Sequence, residues 1–234
     1  MNSERSTGSP VARLLQSLMA FLRPRLPHPP SSAQVLVVVE GPNDIEFLRR
    51  ISAMLHRDDP SLPDLTDIER QHALVFAPTG GVDLSTAFRF AGLSLPEFHL
   101  LDRDVPPATQ TRHQVAAMVN SRPRCHAEVT SKRSLENYLH PAAIFEASDF
   151  SVEFTDEDDV PELVARKANE RHEPRIGWDD LSARARKRLR CKAKRWLNTR
   201  AVERMTVERL AARDPDGEVR SWLATIGSLA AGAR

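Results

Sequence analysis

Between Gln34 and Val129 the apolar positions switch repeatedly between a strand period and a helix period. Val35 to Val39 is an unbroken aliphatic run ended by Glu40 and Gly41, the pattern of a strand covered on both faces in a parallel sheet. Ile45, Leu48, Ile51 and Leu55 then recur three or four apart. Pro42 fits the first turn of the helix they define, where its missing N–H costs little. A second strand is predicted at Ala73 to Ala77, broken by Pro78, Gly80 and Gly81, with a helix from Val82 to Ala91 after it. A third strand, Glu97 to Leu101, stops abruptly at "DRDVPP". A helix from Thr109 to Asn120 and a short strand at His126 to Val129 complete an alternating α/β unit.

The flanks read differently. At the N-terminus Val11, Leu14, Leu18 and Phe21 predict an amphipathic helix, and "RPRLPHPPSS" after it predicts a linker. Arg13, Gln16 and Ser17 interrupt the apolar stretch, so it is a poor signal peptide and too short to span a bilayer. Beyond the α/β unit, Val152 to Leu163 is acidic and Ala183 to Trp196, "ARARKRLRCKAKRW", is dense in arginine and lysine. Both are assigned to a helical C-terminal region, in which Val207, Leu210, Val219, Trp222, Leu223 and Ile226 recur at helical intervals around an "RDPDGE" turn. The organisation expected is a helix and linker over residues 1–30, an α/β core over 31–145, and a helical region over 146–234.

Composition adds bounds. With 234 residues, 41% hydrophobic and 28% charged, the chain suits a globular protein, and a net charge of +1 exerts no global pull on nucleic acid or membrane. Any charge argument is therefore local. Cys125 and Cys191 lack CxxC spacing and sit in basic surroundings, which favours reduced thiols in a cytoplasmic protein over a disulfide or zinc site.

The candidate chemistry lies in the acids. Ligands of open α/β sheets gather at the carboxyl ends of the strands, and there Glu40 ends the first strand while Asp102 and Asp104 follow the third. If those strands are neighbours, the carboxylates converge on one edge. In an extended segment the two aspartates of "DRD" would leave the same face. Such a cluster needs a counter-charge, and a hard divalent cation such as Mg2+ or Mn2+ supplies one. Taken alone each piece has a plainer reading: Asn43 or Asp44 as a helix cap, and "LDRDVPP" as a polar loop closed by prolines.

Three stretches together carry a family resemblance. "VVVEGPNDIEFL", then Gly80 and Gly81, then "HLLDRD" at His99 to Asp104 resemble the TOPRIM domain of topoisomerases, primases and certain nucleases. "SKRSLENYLHP", Ser131 to Pro141, is similar to an element of the TOPRIM domains of OLD-family (overcoming lysogenization defect) endonucleases. The resemblance covers Gln34 to Pro141, with a weaker echo to about Ile226. It implies a Rossmann-like fold with a mostly parallel central sheet flanked by helices, plus a helical C-terminal extension. It also implies a DNA endonuclease using two Mg2+ or Mn2+ ions, in which Glu40, Asp44 and Glu136 surround one ion and Asp102 and Asp104 the other, with Ser134 nearby. A downstream lysine is implied too, for which Lys194 and Lys192 are both candidates.

The remaining expectations concern substrate and partners. Arg184, Arg186, Lys187, Arg188, Arg190 and Arg195 are candidate phosphate-tracking residues, or else one solvated helix face. The only tyrosine, Tyr138, is read as packing or orienting Glu136 and not as a nucleophile, which disfavours a topoisomerase. OLD-family enzymes fuse an ATPase ahead of the TOPRIM domain, yet no GxxxxGK[ST] loop occurs here. The resemblance thus leaves cleavage without ATP hydrolysis, or a separate ATPase subunit met through the N-terminal helix. DNA ahead of RNA, that ATPase and a second copy of the chain are the expected partners, with no membrane, and phage or plasmid defence is the role the resemblance suggests. RNA processing, nucleotidyl transfer and a partner-activated regulatory or toxin-like subunit stand as alternatives.

Overall fold

Four parallel strands form the centre of the molecule, in the order β2-β1-β3-β4. They are β1 (Val35–Val39), β2 (Leu74–Pro78), β3 (Glu97–Leu101) and β4 (Cys125–Val129). The computed structural model describes residues 33–172 and 177–232; the expected helix of Val11, Leu14, Leu18 and Phe21 and the proline-rich linker lie outside them. The sheet is all-parallel and helices cover it, which makes the fold α/β and Rossmann-like, with a helical C-terminal region.

The aliphatic run of β1 is buried at every position because it lies inside the sheet and is covered on both sides. Val35, Val37 and Val39 pack into one apolar cluster and Leu36 and Val38 into another, the period of two that a strand imposes. The first cluster is built by helix α1 (Pro42–Asp58), through Phe47, Leu48, Ile51 and Leu55, and by the C-terminal helices, through Val219, Trp222, Leu223 and Ile226. The opposite side is closed by α3 (Ala108–Asn120), whose Val115 and Val119 meet Leu101 and Ala127. Because β1 and β3 are hydrogen-bonded neighbours, Glu40 and Asp102 leave the sheet on the same edge, at the carboxyl ends of adjacent strands.

Two expected elements differ. No α-helix forms over Val82 to Ala91; two 3-10 turns, Leu84–Phe88 and Ala91–Leu93, stand there instead. The Asp83 carboxylate accepts a hydrogen bond from the Ser85 amide at 2.8 Å, and Ser94 ends the segment in the left-handed region at φ 55. Side-chain bonds of this kind compete with helix propagation. The acidic stretch also becomes helical only at its end, in α5 (Val160–His172). Before it, Asp158 accepts from both the Thr155 amide and hydroxyl at 2.7 Å, which folds a turn.

Three further helices went unread: α2 (Leu65–Arg70), α4 (Pro141–Ser148), and the continuation of α6 (Ala183–Trp196) into a π-helical stretch, Leu197–Ala201. After these come α7 (Val207–Arg213) and α8 (Glu218–Ala231), separated by the expected turn with Gly217 at φ 70. No helix among the described residues is long and apolar enough to cross a membrane.

Trp222 is 1% exposed and stacks edge-on against Tyr138 with ring centroids 5.3 Å apart, so α8 is part of the same core as the sheet. Trp222→Ala is expected to cost about 3–5 kcal/mol in urea unfolding. A loss below about 1 kcal/mol would show that the C-terminal helices are not an integral part of that core.

Candidate active site: a carboxylate cluster with two built-in cations

Glu40 and Asp44 reach the site from the β1–α1 junction. The Gly41 amide donates to Asp44 Oδ2 at 2.8 Å, so one oxygen of this carboxylate caps α1. Its other oxygen, Oδ1, lies 3.3 Å from Lys194 Nζ. The cap and the cation-site readings of Asp44 are thus compatible, because a carboxylate has two oxygens and each serves one of them.

Asp102 comes from the end of β3. The Leu135 amide donates to its Oδ1 at 3.1 Å, and Oδ2 stands 3.6 Å from Lys194 Nζ. Glu136 arrives on the 3-10 turn Leu135–Tyr138 and is fully buried. Its Oε1 is 3.6 Å from Lys194 Nζ and accepts a 2.5 Å hydrogen bond from Asn198 Nδ2. Three strand or turn ends therefore deliver Asp44, Asp102 and Glu136 around one ammonium.

Lys194 is carried by α6, and Asn198 stands four residues on, in the π-helical stretch. Asn198 is itself fully buried and also donates to the Lys194 carbonyl at 2.9 Å, so it ties the carboxylate to the helix that carries the lysine. Extra turns of this kind often mark functional positions.

Glu40 and Asp104 form a second group around Arg112 of α3. Arg112 Nη2 lies 3.2 Å from Glu40 Oε1 and 3.0 Å from Asp104 Oδ2, while Nη1 donates to the Val82 carbonyl at 2.9 Å. Asp104 has φ 59, a left-handed backbone, and its amide donates to the Arg133 carbonyl at 2.8 Å. That twist breaks the extended geometry expected for "DRD". Asp102 faces Lys194 and Asp104 faces Arg112, so the two aspartates do not share a face.

Burial pushes the Asp102 carboxyl well above the usual aspartate range, against the pull of Lys194 and with help from the charges of Asp44, Glu136 and Glu40. It also raises Glu40, where Arg112 opposes it, and Asp44, where Lys194 opposes it. For Lys194 burial acts downward, but Glu136, Asp102, Asp44 and Glu40 together outweigh it and hold the ammonium well above the ordinary lysine value. Lys194 is therefore charged at neutral pH.

Several assignments sharpen. Lys194 and not Lys192 reaches the acids; Lys192 is exposed and lines a cleft of about 520 Å³ with Arg195, Trp196 and Arg200. The Ser134 hydroxyl donates to Asn137 Oδ1 at 2.9 Å and so holds the turn that presents Glu136. Tyr138 is fully buried and hydrogen-bonded to Glu218, and burial pushes its phenol up, so its placement is that of a packing residue. Of the basic run, Arg190 is bound to Asp159 at 2.8 Å and Arg186 lies 4.0 Å from Asp179. Arg184, Lys187, Arg188 and Arg195 are exposed, with no side-chain partner among the described residues.

Sequence reading missed Arg112 and Asn198. Arg112 carried a usable signal: it is the one charge in the buried stripe Arg112, Val115, Ala116, Val119 of α3. Asn198 carried only its spacing of four from Lys194.

Hard oxygen donors suit a divalent cation. Asp44 Oδ1 and Glu136 Oε2 are buried oxygens that accept no hydrogen bond, which fits such an ion. Among the described residues no three His, Cys, Asp or Glu side chains are gathered so as to hold one by themselves. Lys194 stands where they converge.

No protein-family model and no curated protein matches the chain. Among solved structures, the C-terminal region of the Xanthomonas campestris pv. campestris OLD protein is similar to it at 13% identity, over 86% of this chain and 98% of that one, with a TM-score of 0.47. That likeness is too distant to transfer a function.

The carboxyl of Asp102 has a folded-state pKa above its unfolded one. Its contribution to stability is present below the unfolded value of about 3.9 and is lost as pH rises through the raised folded one. With chelator present, Asp102→Asn is therefore expected to stabilise the protein at pH 7.5, and by less at pH 4.5. Denaturant melts of both proteins at the two pH values check this; a variant less stable than wild type at pH 7.5 would refute it.

Proposed function

We propose that this protein is a divalent-metal-dependent nuclease that hydrolyses phosphodiester bonds in DNA. The observation that carries the reading is the meeting of Asp44, Asp102 and Glu136 with Lys194, and of Glu40 with Arg112 beside them, at the carboxyl edge of a parallel sheet. Few structural needs explain so many carboxylates there, since each one adds repulsion and desolvation cost.

Asp44, Asp102 and Glu136 would hold Mg2+ or Mn2+, with Glu40 beside them. When bound, such an ion activates a water and polarises a phosphoryl oxygen. Lys194 offsets negative charge that develops on the phosphorus oxygens, and its long stem lets the ammonium move while staying near the acids. Asn198 fixes the rotamer of Glu136 by its 2.5 Å hydrogen bond. Arg184, Lys187, Arg188 and Arg195, exposed on α6 and unpaired among the described residues, give the backbone of a nucleic-acid strand a cationic face. Motif likeness to TOPRIM and OLD-family nucleases supports the same reading. To it the likeness adds defence against phage or plasmids, with or without an ATPase partner, and the two free cysteines add a cytoplasmic setting.

Cleavage of plasmid DNA under Mg2+, Mn2+ and chelator tests it. Wild type is expected to cut with either metal and not with chelator. Glu40→Ala, Asp102→Ala and Lys194→Ala are each expected to lose about 100-fold or more, the scale set by removing one group that stabilises transition-state charge. Unchanged cleavage by Glu40→Ala and Asp102→Ala would remove the reading. A parallel arm with structured RNA decides which nucleic acid is the substrate.

A further inference from the structure

The two cations of the cluster are held in very different ways. Lys194 Nζ stands 3.3–3.6 Å from three carboxylates, at the end of a flexible stem whose side chain is 21% exposed. Arg112 is 7% exposed and anchored at both ends of its fork: Nη2 between Glu40 and Asp104, Nη1 on the Val82 carbonyl. It stands on the buried stripe of a helix packed against the sheet. A guanidinium cannot shed its proton in a protein, and moving this one would leave it buried and unpaired.

From that contrast we infer that the site takes one divalent ion, at the acids around Lys194, and that Arg112 is the permanent cation in the place where a second ion would sit, between Glu40 and Asp104. This rests on the metal-dependent reading above and goes beyond it, because the sequence motifs imply two ions. Position supports the inference: Asp104, with its left-handed backbone, pairs with Arg112 while Asp102 faces Lys194, so the two aspartates serve different cations. Arg112 is then a positioning residue that holds Glu40 beside the ion and keeps Asp104 paired away from it.

Mn2+ bound per chain, counted by titration calorimetry and by the loss of free-ion paramagnetic resonance, is the direct test. Wild type is expected to bind about one ion per chain, and Arg112→Ala about two, since Glu40 and Asp104 are then freed. Asp104→Asn, which removes no ligand in this scheme, is expected to keep one ion with affinity within about threefold of wild type. Circular dichroism melts confirm that each variant is folded. Two ions in wild type would overturn the inference, as would loss of the ion in Asp104→Asn or a folded Arg112→Ala that still binds one. No binding by wild type would instead overturn the metal-dependent reading itself.

Discussion

Mutual repulsion among buried carboxylates is the constraint on which the rest of this structure depends. Glu40, Asp44, Asp102 and Glu136 are drawn together at one sheet edge, where burial disfavours the ionised forms of Glu40, Asp44 and Asp102. Left alone they would protonate or push the edge apart. The chain instead supplies an ammonium from α6 and a guanidinium from α3, and each makes contact with more than one acid. A cluster so costly to assemble is the kind of feature that persists where it serves chemistry.

The architecture of the C-terminal region follows from delivering that ammonium. Helix α6 must lie across the open edge of the sheet with Lys194 facing inward, so it needs its own anchors. Asp159 supplies one by pairing with Arg190 at 2.8 Å and with Arg133 at 3.3 Å. Asp156 makes a second tie, joining Lys132, ahead of the Glu136 turn, at 2.6 Å to Arg213 of α7 at 2.7 Å. The acidic stretch is thus a clamp between the core and the later helices. Glu218, at the start of α8, bonds both Ser131 and Tyr138 and fixes the turn that carries Glu136 from the other side. The positions of Glu136 and Lys194 are therefore set by the same packing that buries Trp222.

Much of the sheet was legible because strands covered on both faces write themselves as unbroken aliphatic runs, and β1 and β3 fell where those runs lie. The acids were legible because Glu40 and Asp102 follow such runs directly. What sequence could not show is the sorting of acids between cations. That depends on one left-handed residue, Asp104, and on an arginine whose role emerges only when α3 is docked. Lys194 and Lys192 were likewise inseparable in a dense basic run, since two positions on a helix face nearly opposite ways and only packing decides which faces in. The helix expected after Gly81 failed for a local reason, the competition of Asp83 for nearby amides.

The central claim is that the acid cluster is a cation site in which the Lys194 ammonium and a divalent ion do overlapping electrostatic work. Its most direct test is the melting temperature of wild type and Lys194→Met, each followed from chelator to saturating Mn2+ at pH 7.5. In chelator the variant should melt below wild type, because its acids have lost their nearest counter-charge. Mn2+ should then raise the variant's melting temperature by more than it raises that of wild type. Equal melting temperatures in chelator, or no response of either protein to Mn2+, would contradict it.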